Sequence, residues 1–358
     1  MPDTDRGERP TLAYLGGWPA IFGPLTAGTD LTAEQAGAGL AEILRGAATS
    51  AQIAAFCVGL RIKGETVEEV SGLLATMVAF GERVILPPGT QVVDTCGTGG
   101  DFSRTLNVST IAALVVAGAG ATVCKHGNRA ASSASGSADV LEALGVVIDL
   151  GPAGVASCVA EAGMGFCFAP RFHAALRHAG PTRRELGVPT VFNFLGPLAN
   201  PARARHQAVG VSDPRMAETM AGVLAANGAE RALVFYGHDG LDELSTTTTS
   251  TVVEWCDGST RTYVVDPVAL GFPLVPAGAL RGGDATTNAA LARRVLDGER
   301  GPHRDIVVLN AAAGIVAGGL ADDLGAGVEL AATSLDTGRA ADVLDRLVAA
   351  SKVHAGDG

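Results

Sequence analysis

Aromatic residues make up only 4% of this 358-residue chain, although 47% of it is hydrophobic. The core must therefore be filled mainly by Val, Leu, Ile and Ala, of which there is enough for a large interior. Basic charge is also scarce. Lys and Arg number 26 against 37 Asp and Glu, a formal net charge of −11. That balance excludes the overall basic footprint of a nucleic-acid binder and leaves the positive charge local, a pattern suited to a small anionic ligand in one pocket. Cysteine is sparse and scattered, at Cys57, Cys96, Cys124, Cys158, Cys167 and Cys256. No two sit at metal-ligand spacing, and a chain this long needs no disulfide staples, so they read as small buried hydrophobes. No run of about 18 apolar residues is free of charge or helix-breaking clusters, so no membrane span is expected. Met1–Pro10 is polar and charged, unlike a signal peptide, and a soluble cytoplasmic protein is expected. Glycine is plentiful, with 48 residues, which points to frequent turns and close backbone approaches.

Residues 1–18 carry little pattern and are expected to be a mobile tail. Three capping signatures follow: Thr32-x-x-Gln35, Thr49-x-x-Gln52 and Thr66-x-x-Glu69, each ahead of apolar residues recurring at three and four. They predict a small helical domain over 19–86, closed by the linker Pro87-Pro88-Gly89. From Gln91 the pattern becomes strand, loop, helix. Strands are predicted at Val92-Val93, Ala121–Cys124, Gly165–Ala169, Gln207–Val211, Arg231–Tyr236, Thr251–Cys256 and Arg261–Val265. Helices are predicted at Thr110–Ala117, Ala138–Gly145, Pro152–Ala162, Asp213–Ala226, Asp284–Leu296, Asp305–Val316 and Gly338–Ala350. Such alternation argues for an α/β domain, 90–170 and 205–358, with a mostly parallel central sheet covered on both faces. Between its halves, Arg171–Leu186 reads as one helix with a basic face and Asn193–Pro201 as irregular. Part of 171–204 is expected to join the helical domain.

Five segments carry chemistry. Gly97-Thr98-Gly99-Gly100-Asp101 is a glycine loop whose exposed N–H groups suit an anion, or simply a tight turn; it is neither a P-loop nor a dinucleotide fingerprint. In Asn107-Val108-Ser109-Thr110, Ser109 is placed to cap the next helix, whose N-terminus favours anions. Lys125-His126-Gly127-Asn128-Arg129-Ala130-Ala131-Ser132-Ser133 reads as a polar loop at a strand end, where α/β folds bind ligands. There Lys125 offers a point charge, Asn128 a donor and acceptor, and Ser132 and Ser133 hydroxyls, while His126 is either a donor or simply packed. Asp239-Gly240-Leu241-Asp242-Glu243 follows a strand and offers carboxylates to a hard cation such as Mg2+, the plainer alternative being a solvated acidic turn. Arg183 and Arg184, near His178, are either surface arginines or clamps for a carboxylate.

These blocks, with Val191–Pro201 and the continuation of the acidic loop to Thr249, resemble the anthranilate phosphoribosyltransferase family in order and spacing over nearly the whole chain after Ala20. The resemblance implies a small all-helical N-terminal domain plus a large α/β domain of the nucleoside phosphorylase/phosphoribosyltransferase type, usually as a homodimer. It implies transfer of the phosphoribosyl group of 5-phosphoribosyl-1-pyrophosphate (PRPP) to anthranilate, with release of pyrophosphate. By resemblance, Gly97, Gly100, Asp101, Thr105, Asn107, Val108, Ser109, Thr110, Lys125, Asn128, Ser132, Ser133 and Ser137 bind PRPP. Ser109, Asp242 and Glu243 match the positions that hold two Mg2+ ions. Asn128 and Arg183 match anthranilate contacts, with Gly97, His126, Pro170, His173 and Gly196 lining its approach. No residue is assigned as general acid or base, since an aromatic amine is already neutral near pH 7. The chain departs from relatives at Phe102 and Arg104, in a loop that often has smaller residues, and at Leu176, where some have an aromatic. Two other readings fit less well. A pyrimidine nucleoside phosphorylase shares the architecture but needs no paired Mg2+ carboxylates, and its signature differs from Lys125–Ser133. A non-catalytic nucleic-acid-binding relative should be basic.

Overall fold

A computed structural model describes residues 10–101, 103–130 and 134–356. The chain divides into two compact units, one running to Glu82 and including His173–Ala199, the other comprising Arg83–Phe172 and Asn200 onward.

The helical unit is built on the three capping boxes. Thr32, Thr49 and Thr66 each accept the N–H of the residue three along, and the side chains of Gln35, Gln52 and Glu69 return the bond. The helices Ala33–Leu44, Ser50–Lys63 and Val67–Phe80 bury Leu40, Ile43, Phe56, Leu60 and Leu73 completely. A Cβ on Gly72 would lie 2.1 Å from the Ala33 carbonyl oxygen, so glycine there sets how closely two of these helices approach. A fourth helix, Pro19–Thr26, has no side-chain cap to announce it, and starts instead with a proline in its first turn. Residues 10–18, read as part of a tail, form turns and bury Leu12 to 3% exposure.

Two expectations in this region are corrected. Arg171–Leu186 is not one helix. It breaks into Ala169–Phe172, a 3₁₀ turn Ala174–His178 and Gly180–Leu186. Gly180-Pro181 accounts for the break, because proline is tolerated only in the first turn of a helix. Asn193–Pro201 is not irregular throughout. Thr190 and Asn193 cap a helix, Val191–Leu198, and Pro197 stands inside it, where it takes away one backbone donor.

The second unit carries a seven-stranded sheet. Its strands are β1 Val92–Gly97, β2 Thr122–Gly127, β3 Met164–Phe168, β4 His206–Gly210, β5 Arg231–Gly237, β6 Ser250–Cys256 and β7 Ser259–Val265. Their order is β3-β2-β1-β4-β5-β6-β7, with the first five parallel and β6 and β7 antiparallel at one edge. β1 and β2 run further than their apolar residues suggested. Pairing of Cys96 with Val209 and Gly97 with Gly210 extends β1 into the glycine motif. Pairing of Lys125 with Phe166 and His126 with Cys167 likewise draws both residues out of the expected loop and into β2. Backbone pairing, not hydrophobicity, sets these ends. The helix Leu324–Asp336 went unread because its glycines and small residues give weak periodicity; Asp323 caps it through the Ala326 N–H at 2.9 Å.

The cysteines are all unbridged and buried, save half-buried Cys256. Among the described residues no helix is long and apolar enough to cross a membrane.

Candidate active site at the carboxyl ends of the parallel strands

The chain leaves β1 for β2 on one side and later returns to β4 on the other, so the loops after β1 and β4 diverge between them. Such a switch point opens a crevice where doubly wound sheets take ligands. Here the two loops are tied together at their base. Thr98 N–H donates to the Gly210 carbonyl at 3.0 Å, and Ser212 N–H donates to Thr98 Oγ1 at 3.0 Å. Ser212 Oγ reaches the Gly99 carbonyl at 2.8 Å. Gly99 and Gly100 adopt φ of 67° and 83°, a left-handed pair that glycine takes readily.

The acidic loop after β5 seats its carboxylates on this base. Gly99 N–H donates to Asp242 Oδ2 at 2.7 Å, and Ser109 N–H donates to Glu243 Oε1 at 3.1 Å. Glycine is needed beneath them. A Cβ on Gly97 would lie 2.3 Å from Asp242 Oδ2, and one on Gly210 would lie 1.7 Å from the Asp242 carbonyl oxygen. Ser109 is therefore not the helix cap expected from sequence. Asn107 holds that position without a side-chain cap bond, and Ser109 spends its N–H on Glu243. Lys125, 1% exposed, lies beneath the pair and donates to the Thr95 carbonyl and to Ser109 Oγ at 3.3 Å.

Burial pushes the Asp242 carboxyl up to about 7, with the neighbouring Asp101 adding to the effect. Burial and Asp242 hold Glu243 well above the usual carboxylate range. Two carboxylates so placed, each 9% exposed, lack a sufficient counter-charge, and a hard divalent cation fits that deficit. No group of three or more His, Cys, Asp or Glu among the described residues is arranged to hold a metal ion unaided. A pair of carboxylates matches the usual holding of Mg2+, by one or two carboxylates completed by substrate phosphate and water. Asp239 does not join them. Its carboxylate accepts from Ser245 Oγ at 2.7 Å and from Thr247 Oγ1, so it closes the loop on itself.

Asp101 accepts Ser103 Oγ at 2.6 Å, and Ser103 Oγ lies 3.3 Å from Thr105 Oγ1. Thr105 pairs with Arg281 in an isolated bridge, and Arg104 adopts a left-handed φ of 55°. Val108 and Thr110 are buried in the helix Val108–Gly118. Ser137 Oγ accepts the Asn128 N–H at 3.1 Å, so it shapes the Asn128 turn. Asn128 Oδ1 accepts the Arg129 N–H at 2.7 Å. Ser132, Ser133 and Phe102 lie outside the described residues.

Sequence reasoning missed the buried partners. Asp94, fully buried in β1, accepts the His126 N–H at 3.1 Å and Asn200 Nδ2 at 2.7 Å. Burial raises its carboxyl to about 6, although Lys125 opposes the shift. Asn288 Nδ2 donates to Asn107 Oδ1 at 2.8 Å, and Asn107 Nδ2 to the Ser135 carbonyl at 3.0 Å. No local pattern betrays contacts made across such sequence separations.

Of the acceptor-side candidates, His126 is buried in β2 and Pro170 is exposed at the start of the turn after β3. His173, Leu176, Arg183 and Gly196 belong to the helical unit. His173 Nε2 lies 2.9 Å from the Ala199 carbonyl, and burial lowers its pKa. Arg183 stacks on Phe192, its guanidinium carbon 5.2 Å from the ring centre, and burial lowers its pKa. It makes no ion pair with a carboxylate among the described residues.

Comparison with known proteins agrees on one family. Residues 89–341 match the glycosyl transferase family, a/b domain, and residues 20–81 match the glycosyl transferase family, helical bundle domain. An anthranilate phosphoribosyltransferase from Nocardioides sp. is 56% identical over 339 residues, 93% of this chain and 98% of the relative. The crystal structure of anthranilate phosphoribosyltransferase from Thermus thermophilus superposes with a TM-score of 0.87 at 41% identity, covering 93% of this chain and 99% of that one. The anthranilate phosphoribosyltransferase from Saccharomyces cerevisiae in complex with PRPP and Mg gives a TM-score of 0.85 at 26% identity, over 94% of this chain and 98% of that one. Matched over almost its whole length by proteins of one name, and carrying a buried acidic pair at its switch point, the chain belongs to the anthranilate phosphoribosyltransferase family.

Proposed function

We propose that this protein transfers the phosphoribosyl group of PRPP to the amine of anthranilate, giving N-(5-phosphoribosyl)anthranilate and pyrophosphate in tryptophan biosynthesis. The observation that carries the reading is the buried Asp242–Glu243 pair, held by the Gly99 and Ser109 N–H groups at the carboxyl ends of the parallel strands. In this reading the pair would hold Mg2+, as two ions with Ser109, which would supply positive charge against the pyrophosphate leaving group. The Gly100 N–H and the close backbone approach that the glycine loop allows seat the phosphates, since the Gly99 and Ser109 N–H groups are held by the acidic pair. Lys125 adds positive charge from beneath. Asn128 and Arg183 orient anthranilate, Arg183 through its carboxylate. Gly97, His126, Pro170, His173 and Gly196 line the aromatic substrate.

The ribose C1–O bond to pyrophosphate breaks, the anthranilate nitrogen forms the new bond to C1, and the nitrogen releases a proton to solvent. A neutral arylamine needs no prior deprotonation, so positioning and charge stabilisation supply the acceleration. A homodimer working in the cytoplasm completes the proposal. Pyrophosphate release tests it. Release should require PRPP, Mg2+ and anthranilate together. Phosphorolysis of uridine or thymidine in place of that reaction would favour the nucleoside phosphorylase reading instead.

A further inference from the structure

The acidic pair has a support that belongs to none of the motifs. Asn310, 3% exposed, lies on the helix Pro302–Ala317. Its Oδ1 accepts the Leu244 N–H at 2.8 Å, and its Nδ2 donates to the Leu244 carbonyl at 2.8 Å and to the Ile306 carbonyl of its own helix at 2.9 Å. Leu244 directly follows Glu243 and is completely buried, in the connection between β5 and β6. One amide side chain thus meets both backbone polar groups of Leu244, as a neighbouring strand would. The helix can come this close because glycine recurs one and two turns after Asn310. A Cβ on Gly314 would lie 2.8 Å from Thr95 Cγ2, and one on Gly318 would lie 2.8 Å from Val93 Cγ2. Asn310, Glu243, Ser109 and Thr95 border one cavity of about 10 Å³, so the amide adjoins Glu243.

We propose that Asn310 is a positioning residue for the divalent-cation site: by fixing the backbone at Leu244 it sets where the Asp242 and Glu243 carboxylates stand. This rests on the reading of that pair as the Mg2+ site. The chemistry is selective for asparagine. Aspartate keeps the acceptor for the Leu244 N–H but loses the donor for its carbonyl and adds a negative charge beside Glu243. Glutamine keeps both groups one methylene too far out, and leucine removes both.

The test uses the full chain and Mn2+ as the probe, its affinity measured by calorimetry with PRPP present, beside hydrogen exchange at the Leu244 amide and thermal unfolding. Asn310→Leu, Asn310→Gln and Asn310→Asp are compared with Ser334→Ala. Ser334 is a buried hydroxyl that donates to the Val115 carbonyl at 2.9 Å, away from the acidic loop, and serves as a stability control. Asn310→Leu and Asn310→Gln should weaken Mn2+ binding roughly tenfold or more, as loss of a group supporting metal ligands does, and speed exchange at Leu244. Ser334→Ala should lower the unfolding temperature while leaving Mn2+ affinity and Leu244 exchange as they are. Should Asn310→Leu not fold, Asn310→Gln and Asn310→Asp carry the comparison. Unchanged Mn2+ affinity in folded Asn310 variants, while Asp242→Asn weakens it, would overturn the positioning role alone. Unchanged affinity in Asp242→Asn as well would remove the cation site and the inference with it.

Discussion

Asp242 is a carboxyl kept at odds with its surroundings. Its pKa stands at about 7 in the fold against an ordinary 3.8, so the folded state holds its proton more tightly than the unfolded chain does. The group therefore favours folding fully at pH below its unfolded value and loses that contribution as pH rises toward 7. Asp242→Asn removes this dependence, because an amide still accepts the Gly99 N–H and carries no charge. Without metal, the unfolding temperature of Asp242→Asn relative to the parent should climb between pH 4 and 7.5. Parallel pH profiles by calorimetry would contradict the burial argument. Asp94 predicts the opposite sign. Its two oxygens accept from two donors, His126 N–H and Asn200 Nδ2. Asparagine there can accept only one and turns its own N–H group toward the other, so Asp94→Asn should lose about 1–3 kcal/mol in urea unfolding. These residues also mark what could be read in advance. Asp242, Glu243 and Lys125 stand in dense polar runs at strand ends, and were legible. Asp94, Asn200, Asn288 and Asn310 act through partners far along the chain, where sequence offers no spacing to count.

At the scale of elements, the chain announces starts better than ends. The Thr-x-x-Gln and Thr-x-x-Glu boxes placed three helices, since both halves of each box lie within four residues. Thr49→Ala should therefore cost about 1 kcal/mol, measured by thermal unfolding, with no change in substrate affinity. The ends of β1 and β2 were misjudged because parallel neighbours, absent from any local window, carry them through Gly97 and Gly127. The break at Gly180-Pro181 was misread as continuous helix although its proline signals it, and the helix Val191–Leu198 was hidden by Pro197. Gly210 shows how tightly an element and the site are joined. A methyl group there would overlap the Asp242 carbonyl, 1.7 Å away. Gly210→Ala should displace the acidic loop, lower stability by at least ~1–3 kcal/mol and weaken the response to Mg2+. A folded Gly210→Ala protein with the parent's Mg2+ titration would contradict this packing.

For the molecule as a whole, a net charge of −11 runs against binding a polyanionic substrate. In the proposed site this would be offset locally, by a buried lysine and by the cation that the acidic pair calls for. The two-unit division and the α/β class were legible from the change of periodicity near Gln91, although the exact chain membership of 171–204 was not. Ligand linkage follows at the same scale. PRPP with Mg2+ at a hundred times its dissociation constant should stabilise the fold by about 2.7 kcal/mol, and neither component alone should match that. The most direct measurement follows the fluorescence of anthranilate in the presence of PRPP and Mg2+. The parent protein should consume anthranilate, Asp242→Asn combined with Glu243→Gln should lose the reaction at limiting Mg2+, and Arg183→Ala should need more anthranilate but no more PRPP. Purified, folded parent protein that leaves anthranilate untouched would contradict the assignment.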